Sequence, residues 1–429
     1  MIPTSKIYLA ASTLGMAAAL LGCAPAARAR GDEEAAPVAR ALGIEAPKLE
    51  LAAAASEASA PPTSGAAPGT KPLASAPRDE LTLIAGGDVC FGRELGQVLL
   101  QTPGYDPFAA VGPLFASADV RFVNLESQLS DQGGETQSKH HPLVFTGPPA
   151  GADALARAGV QIVSAANNHM WDYGERAFFE TLANLKRVGV AHPGAGRNHK
   201  QTYSPVTLTV DGFRIAFLAV TDIWNQGSLA RHPARPYVAN ADLNALVVTV
   251  RKLKADQMAD AVVVSYHGGV EYSDQPLADT RSLANLVIDA GADAFLGHHP
   301  HVLQGIELRH GKAIFYSLGN FLMNVNAEYP ETGLGMLARV RLRRGELPSY
   351  EVCPIRSGGL FAVPLPADPE REATVAAFSE RIRRASARSS HAPEMGAFGP
   401  DGCARILPGE RKARAASSRT GSERKREGR

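Results

Sequence analysis

Three histidines lie around one proline in the segment GADAFLGHHPHVLQ, which runs from Gly291 to Gln304. His298, His299 and His301 are three of the chain's 12 histidines, and they directly follow an apolar run typical of a strand. His299 and His301 flank Pro300, whose fixed φ angle stiffens the pair. Since a surface loop gains no stability from such a cluster, the pattern favours a metal site built on imidazole ligands.

Other polar side chains occur where apolar, strand-like runs end. They are Asp88, Glu126, Asn168 with His169, and His267. In layered α/β folds the carboxyl ends of strands lie along one edge of a sheet, where binding sites form. Carboxylate, carboxamide and imidazole groups suit divalent cations such as Mn, Fe or Zn. Two such cations that share a carboxylate can activate water for a displacement at phosphorus or carbon.

Each of these residues also has a structural interpretation when it is taken alone. Asp88 could be a turn residue after a glycine pair, Glu126 could cap a helix, and Asn168 could form a turn. His267 could be an ordinary histidine at a strand end. The metal interpretation therefore requires that the side chains of these residues lie together in one site.

The elements that must position these residues are expected within residues 80–365. LTLIAGGDVCFG begins with an apolar strand, and GERAFFETLANLKRVGV has apolar residues at helical spacing. DAVVVSYHGG is a continuous apolar run, as expected of a strand that is covered on both faces. A hairpin is expected to turn at Asp211 and Gly212. This alternation of strands and helices predicts one layered α/β domain.

The amino-terminal segment predicts export. The apolar run from Ile7 to Leu21 is too short for a membrane span and fits the core of a signal peptide in residues 1–23. It ends in LLGC, which resembles a bacterial lipobox with Cys23 as the lipidated residue. An ordinary secretory signal that is cleaved after APAARA is the alternative. Residues 24–79, rich in Ala, Pro and Ser, are expected to form a disordered tether.

Residues 366–429 are expected to contain a helix followed by a basic, disordered tail. The tail could contact an anionic lipid or polymer, or it could simply be solvated. The formal net charge of the chain is +1, so nothing favours nucleic acid as a partner. Beyond Cys23 the chain has three cysteines, and a bridge between Cys353 and Cys403 cannot be assigned from the sequence.

Six blocks of the sequence resemble, in chain order, those of the CapA family, the poly-γ-glutamate capsule biosynthesis proteins. The blocks are GGDVCFGR, FVNLESQLS, SAANNHMWDYGERAFFETLANLKRVGVAHPGAGRN, SYHGGVEYSDQP, DAGADAFLGHHPHVLQGIEL and GKAIFYSLGNFLM. The resemblance covers about residues 81–365. CapA proteins in turn resemble calcineurin-like metallophosphoesterases, which implies a four-layer αββα sandwich with a dinuclear metal site.

The resemblance also implies roles for individual residues. His169 would be the general acid near the leaving group, and Glu126 would be the bridging carboxylate. From their own positions in loops, Arg93, Lys139, His140 and His141 are candidates for contact with an anionic substrate, with solvated loop residues as the alternative for the three from 139 to 141. His298 is extra to the matched histidine pair, and it is a candidate either for substrate contact or for supporting a metal ligand. The implied metal ligands are Asp88, Glu126, Asn168, His267, His299 and His301.

Two positions depart from the phosphoesterase pattern. Cys90 stands where a histidine is usual, and Glu126 replaces an aspartate, so one metal position could be weaker, differently coordinated or empty. Glu271, four residues after His267, could be a ligand, a base or a residue that orients His267. Asp172 could orient His169, face the substrate or cap the helix that follows.

Two classes of function follow. The first is a metal-dependent hydrolase or transferase that assists synthesis, export or attachment of poly-γ-glutamate or another anionic envelope polymer. Its expected partners are that polymer, membrane-bound synthase components and, through the lipid anchor, the membrane. The second is a noncatalytic scaffold that binds the polymer or its synthase. In both cases we expect a periplasmic or outer-membrane-anchored lipoprotein of a bacterium.

Overall fold

A computed structural model describes residues 78–225 and 237–409. The predicted signal segment, the lipidation site Cys23, nearly all of the predicted tether and the basic tail lie outside these residues. Within them the chain forms two large β-sheets that pack face to face, with helices on the outer faces, and a small sheet of two short strands. The prediction of a four-layer α/β sandwich is confirmed.

The strands of the described residues are named in chain order. They are β1 (Glu80–Val89), β2 (Val120–Leu125), β3 (Gln128–Leu129), β4 (Thr146–Gly147), β5 (Ile162–Ser164), β6 (Val206–Val210), β7 (Phe213–Thr221), β8 (Ala261–His267), β9 (Ala294–His298), β10 (Ile306–Arg309), β11 (Lys312–Phe315), β12 (Asn320–Leu322), β13 (Leu334–Arg343), β14 (Ser349–Ser357), β15 (Ala362–Pro364), β16 (Glu394–Phe398) and β17 (Ala404–Leu407).

The α-helices of the same residues are named in the same way. They are α1 (Arg93–Gln101), α2 (Gly112–Ala116), α3 (Ala150–Arg157), α4 (Gly174–Arg187), α5 (His199–Tyr203), α6 (Leu243–Ala255), α7 (Ala278–Asp289) and α8 (Arg371–Ser386). Short 3-10 turns lie at Ala109–Val111, Pro330–Gly333 and Leu365–Ala367. None of the helices in the described ranges has the length and apolar composition needed to cross a membrane.

In the described part of the chain, the larger sheet has the order β16-β17-β14-β13-β1-β2-β5, with β12 also paired to β1 and β15 to β14. The smaller sheet has the order β10-β11-β9-β8-β7-β6. The strands that matter for the site, β1, β2 and β5 in one sheet and β7, β8 and β9 in the other, run parallel within each sheet. The expected hairpin between β6 and β7 turns at Asp211 and Gly212, both with positive φ. That geometry matches the turn preferred between two twisted strands.

Side chains of alternate strand positions supply the two faces of each sheet. Phe122 of β2 stacks on Phe217 of β7 with ring centroids 5.8 Å apart, and this contact joins the two sheets in the central core. On the outer faces, α1 and α3 cover the larger sheet, and α6 and α7 cover the smaller one. Both sheets are therefore buried on both faces where their parallel strands end.

The folded region extends past the boundary predicted at residue 365. The expected helix is present as α8, but it is followed by β16 and β17, which add to an edge of the larger sheet. A disulfide between Cys353 and Cys403 ties the residue just before β17 to β14. The two strands were not predicted because they are short, and their side chains are partly exposed along a sheet edge.

Candidate metal centre

Polar residues at the ends of strands from both sheets come together in one buried cluster. Asp88 lies near the end of β1, and Glu126 directly follows β2. His267 is the last residue of β8, while His299 and His301 lie just beyond β9. Asn168, after β5, joins them. All six are at most 8% exposed.

The side chains form two ligand groups that share one carboxylate. In each group the ligand atoms lie within 4.8 Å of one another; the groups are Asp88, Glu126 and His301, and Glu126, His267 and His299. Nε2 of His267 lies 3.5 Å from Oε1 of Glu126, and Nε2 of His301 lies 3.8 Å from the same oxygen. Oδ1 of Asn168 lies 2.7 Å from Nε2 of His267 and adds a carboxamide oxygen to the second group.

No donor among the described residues forms a hydrogen bond with the shared carboxylate. Glu126 is fully buried, and neither of its oxygens accepts a hydrogen bond from the described residues. Burial and the nearby charge of Asp88 raise the pKa of Glu126 well above its usual range. A buried carboxylate without compensation is costly. Glu126 therefore fits a position between two cations.

Burial and the two carboxylates shift the pKa values of the neighbouring groups in different directions. Burial alone would raise the pKa of Asp88, but the imidazoles of His298 and His301 lower it well below its usual range. Burial lowers the pKa of His267, and it lowers that of His299 to about 3, so both rings are neutral and able to bind metal. Burial also acts on His301, but Glu126 and Asp88 raise its pKa to about 9. The carboxylates thus attract positive charge, which divalent cations would supply.

The backbone at the histidine pair is strained. His299 has a φ of +95° and His301 a φ of +58°, both in the left-handed region that residues other than glycine rarely adopt. Such conformations persist where the surrounding structure enforces them, often at functional sites. Here they bring both rings into the cluster from a segment of only three residues.

Two asparagines that the sequence interpretation did not single out orient the ligands. Nδ2 of Asn124 donates to Oδ1 of Asp88 at 2.9 Å and lies 3.1 Å from Nδ1 of His267. Oδ1 of Asn320 lies 3.0 Å from Nδ1 of His301. Two features of the sequence could have identified these asparagines. Asn124 lies two residues before Glu126, and Asn320 lies in the block YSLGNF.

Cys90 does not replace the missing histidine as a ligand. It belongs to neither ligand group, and burial raises the pKa of its thiol to about 12. The side chain packs against Phe145 and Met323, and its Sγ accepts a weak hydrogen bond from the amide of Gly92 at 3.4 Å. The group around Asp88 therefore lacks the histidine that the resemblance implies at this position.

His169 is held beside the ligands by Asp172. Nδ1 of His169 lies 2.8 Å from Oδ2 of Asp172, and Nε2 lies 3.9 Å from Oε1 of Glu126. The ring of Phe145 stacks on that of His169 at 4.2 Å, and its amide donates to Oδ2 of Asp172 at 3.0 Å. Helix α4 begins at Gly174 with Tyr173 as its N-cap residue, so Asp172 orients His169 and does not cap the helix.

A cavity of about 620 Å³, here called the site cavity, opens onto the cluster. Of the predicted substrate-binding residues, Arg93 and His141 line it, and the guanidinium of Arg93 lies 4.5 Å over the ring of Phe145. Glu271 also lines it but is exposed and belongs to neither ligand group.

Three predicted substrate-binding residues lie elsewhere. Lys139 lines a neighbouring cavity that it shares with Arg93, and His140 is exposed outside both cavities. His298 is fully buried, with Nδ1 3.3 Å from Oδ1 of Asp88, so it contacts a candidate ligand and is not available to a substrate. The contact of His298 agrees with the alternative that it supports a metal ligand. Lys139 and His140 lie away from the site cavity because spacing in the sequence does not determine where loop side chains point.

The chain thus combines a four-layer α/β sandwich with one carboxylate that is shared between two candidate ligand groups. Residues 82–325 match the family model described as "Bacterial capsule synthesis protein PGA_cap". The chain belongs to this family, which confirms the CapA resemblance of its sequence blocks.

Two relatives of known family agree with this assignment. The chain is 30% identical over 287 residues to the capsule biosynthesis protein CapA of Bacillus anthracis, covering 66% of this chain and 69% of that protein. It is 30% identical over 298 residues to the PGA biosynthesis protein CapA of Bacillus subtilis strain 168, covering 69% of this chain and 77% of that protein. Among solved structures, a putative 5'-nucleotidase of Staphylococcus aureus superposes with a TM-score of 0.39 at 12% identity, covering 70% of this chain and 58% of the other.

Proposed function

We propose that the protein is an exported, metal-dependent hydrolase or transferase that acts on poly-γ-glutamate or a related anionic envelope polymer during capsule synthesis. The observation that carries this proposal is Glu126, a fully buried carboxylate shared by two ligand groups and without a hydrogen-bond donor among the described residues.

The residues present fit two divalent cations of the Mn, Fe or Zn type. Asp88, Glu126 and His301 would hold one, and Glu126, Asn168, His267 and His299 would hold the other. When bound, such cations lower the pKa of water and stabilise negative charge on the reacting centre.

The remaining residues of the site have different roles in this proposal. His169, fixed through Nδ1 by Asp172, presents Nε2 toward the cluster and can donate a proton to a leaving group. Arg93 lines the same cavity with a guanidinium that suits a carboxylate or phosphate of the substrate. Glu271, also at the cavity, could take up a proton from the attacking group.

The substrate class is supported by the names of the relatives, two of which are capsule or PGA biosynthesis proteins. On this proposal the chain works next to membrane-bound synthase components. A noncatalytic scaffold that binds the polymer or synthase is the second candidate, and it is favoured by Cys90, which lies outside both ligand groups at the position where the resemblance implies a histidine.

Export is supported by two features. The apolar segment from Ile7 to Leu21 fits a signal peptide, and the disulfide between Cys353 and Cys403 is typical of an oxidising compartment. We propose that Cys23 carries the lipid anchor. A Cys23→Ala variant should then move from the membrane fraction to the soluble fraction, and unchanged membrane association would contradict the anchor.

A turnover assay distinguishes the enzyme from the noncatalytic scaffold. The purified chain with added Mn²⁺ is assayed on poly-γ-glutamate and on chromogenic phosphomonoesters and phosphodiesters. The enzyme proposal predicts turnover of at least one substrate and its loss in His169→Ala with metal content retained. Saturable polymer binding with no turnover of any substrate would instead support the scaffold.

A further inference from the structure

Asn225 joins the two sheets beside the candidate metal centre. It follows β7 of the smaller sheet, lines the site cavity and is exposed. Its Oδ1 accepts a hydrogen bond from Nδ2 of Asn168 at 3.0 Å, and its Nδ2 lies 3.4 Å from Nδ1 of His169. Asn168 and His169 both follow β5 of the larger sheet. One side chain of the smaller sheet therefore contacts a candidate metal ligand and the candidate general acid.

The longer of these two contacts adds little to the position of His169. Nδ1 of His169 already lies 2.8 Å from Oδ2 of Asp172, and a hydrogen bond to a carboxylate is the stronger kind. That nitrogen carries at most one proton, which the carboxylate accepts. Any role of Asn225 therefore acts through its Oδ1 and through Asn168.

Asn168 offers two chemically different ends to the metal centre. Its Oδ1 lies 2.7 Å from Nε2 of His267 in the second ligand group, and a carboxamide oxygen can bind a cation. Its Nδ2 is a hydrogen-bond donor with two protons, so it cannot bind a cation. The two ends are nearly the same in size, and a half-turn of the carboxamide exchanges them. The site must therefore fix which end faces the cation.

Asn225 supplies that constraint. A carboxamide oxygen only accepts hydrogen bonds, so Oδ1 of Asn225 favours the orientation in which Nδ2 of Asn168 faces it. In the exchanged orientation two oxygens would face each other, and the NH₂ group of Asn168 would face His267. Asn124 and Asn320 orient their ligands from buried positions, whereas Asn225 lies on the exposed wall of the site cavity. It can therefore be replaced without opening a void in the core.

We propose that Asn225 is a positioning residue, which turns the oxygen of Asn168 toward the cation of the second ligand group. The inference rests on the proposed function, because that function supplies the cation. It goes further by making metal affinity depend on a residue that is not a ligand and that belongs to the sheet opposite Asn168. Loss of such an orienting group weakens metal binding about 10- to 100-fold.

The test is titration of the full chain with Mn²⁺ in competition with a chelator of known affinity. Asn225→Leu keeps the approximate size of the side chain but removes the acceptor, so it should weaken one of the two Mn²⁺ sites about 10- to 100-fold. Asn225→Asp keeps an acceptor oxygen and should bind Mn²⁺ at least as tightly as the parent chain. Asn324→Leu, at another exposed asparagine of the site cavity, is the matched control and should bind Mn²⁺ like the parent chain.

A second background separates the orienting role from a general effect of the replacement. Both ends of a carboxylate are oxygens, so Asn168→Asp has no end that cannot bind a cation. In that background, Asn225→Leu should change the Mn²⁺ affinity less than about threefold, because the two residues no longer act as a coupled pair.

The outcomes distinguish the role of Asn225 from the proposed function. Mn²⁺ affinity that is unchanged in Asn225→Leu, equally weak in Asn225→Asp, or equally reduced in the Asn168→Asp background would overturn the positioning role and leave the metal centre intact. A parent chain that binds no Mn²⁺ would overturn the metal centre and the positioning role together. The expected pattern of Mn²⁺ affinities without turnover of any substrate would overturn the enzyme and leave the role of Asn225 intact.

Discussion

Nε2 of His267 lies 2.7 Å from Oδ1 of Asn168, although the two residues are 99 positions apart in the chain. His267 ends β8 in the smaller sheet, and Asn168 follows β5 in the larger sheet. The contact therefore joins the two sheets at the edge where their parallel strands end. A metal centre can form here only when both sheets are in place, which is why its residues are scattered along the sequence.

Asn124 should tune metal affinity without being a ligand. Its Nδ2 contacts both Asp88 and His267. Replacing it with alanine removes the group that orients them, and loss of such a residue typically weakens metal binding about 10- to 100-fold. Competition with a chelator of known affinity measures the change. The matched control is Asn244→Ala, at an exposed position of α6, and equal metal affinity in both variants would refute the orienting role.

Asp172 should affect turnover and leave metal content unchanged. Asp172→Asn keeps the size of the side chain but removes the carboxylate that holds Nδ1 of His169. If His169 is the general acid, kcat should fall by as much as the contribution of that group, about 10²- to 10⁴-fold. Kinetics on whichever substrate is turned over, with metal analysis in parallel, measures the effect. Glu175→Gln, an exposed neighbour, should behave like the parent chain, and a kcat that survives Asp172→Asn would exclude this role.

The disulfide should stabilise the carboxyl-terminal edge of the larger sheet. Cys353 and Cys403 are 50 positions apart, and a bridge closing a loop of this size typically adds about 2–4 kcal/mol to the free energy of unfolding. Urea unfolding of the chain with Cys353→Ala and Cys403→Ala should show that loss. A reducing agent should destabilise the parent chain and leave the double variant unaffected. Identical unfolding curves for oxidised and reduced parent chain would count against the bridge.

Gly87 should be required for the close approach of β1 to the segment before β12. A Cβ atom there would lie 1.9 Å from the carbonyl oxygen of Gly319, a backbone atom that cannot easily move. Gly87→Ala should destabilise the fold by about 1–3 kcal/mol, as expected for overpacking, and displace the adjacent Asp88. Gly112→Ala is the control because nothing lies within 4 Å of its Cβ position. Thermal unfolding of the two variants tests this, and equal stability would contradict the clash.

Much of the site could be predicted because its residues follow long apolar strands. The runs that end at Asp88, at Glu126 and at His267 are buried on both faces, and such runs are easy to recognise in a sequence. Parallel strands end at a common edge of a sheet, so the polar residues at those ends could be expected to lie close together. Helix α8 and the hairpin at Asp211 were predictable for similar local reasons.

What could not be predicted depends on contacts between distant segments. The pairing of Cys353 with Cys403 has no local signal, and the strands that it stabilises are short and half-exposed. The direction of loop side chains such as His140 follows no periodicity. Asn124 and Asn320 lie within apolar strands, where their orienting hydrogen bonds become visible only in three dimensions.

The metal content of the purified chain tests the central claim most directly. Elemental analysis after loading with Mn²⁺ or Zn²⁺ and removal of free ions should give about two equivalents per chain, as expected for paired sites bridged by a carboxylate. Glu126→Gln should lose both ions, whereas His301→Ala should lose one. A parent chain that retains no metal, or a Glu126→Gln variant that retains two equivalents, would contradict the shared-carboxylate centre.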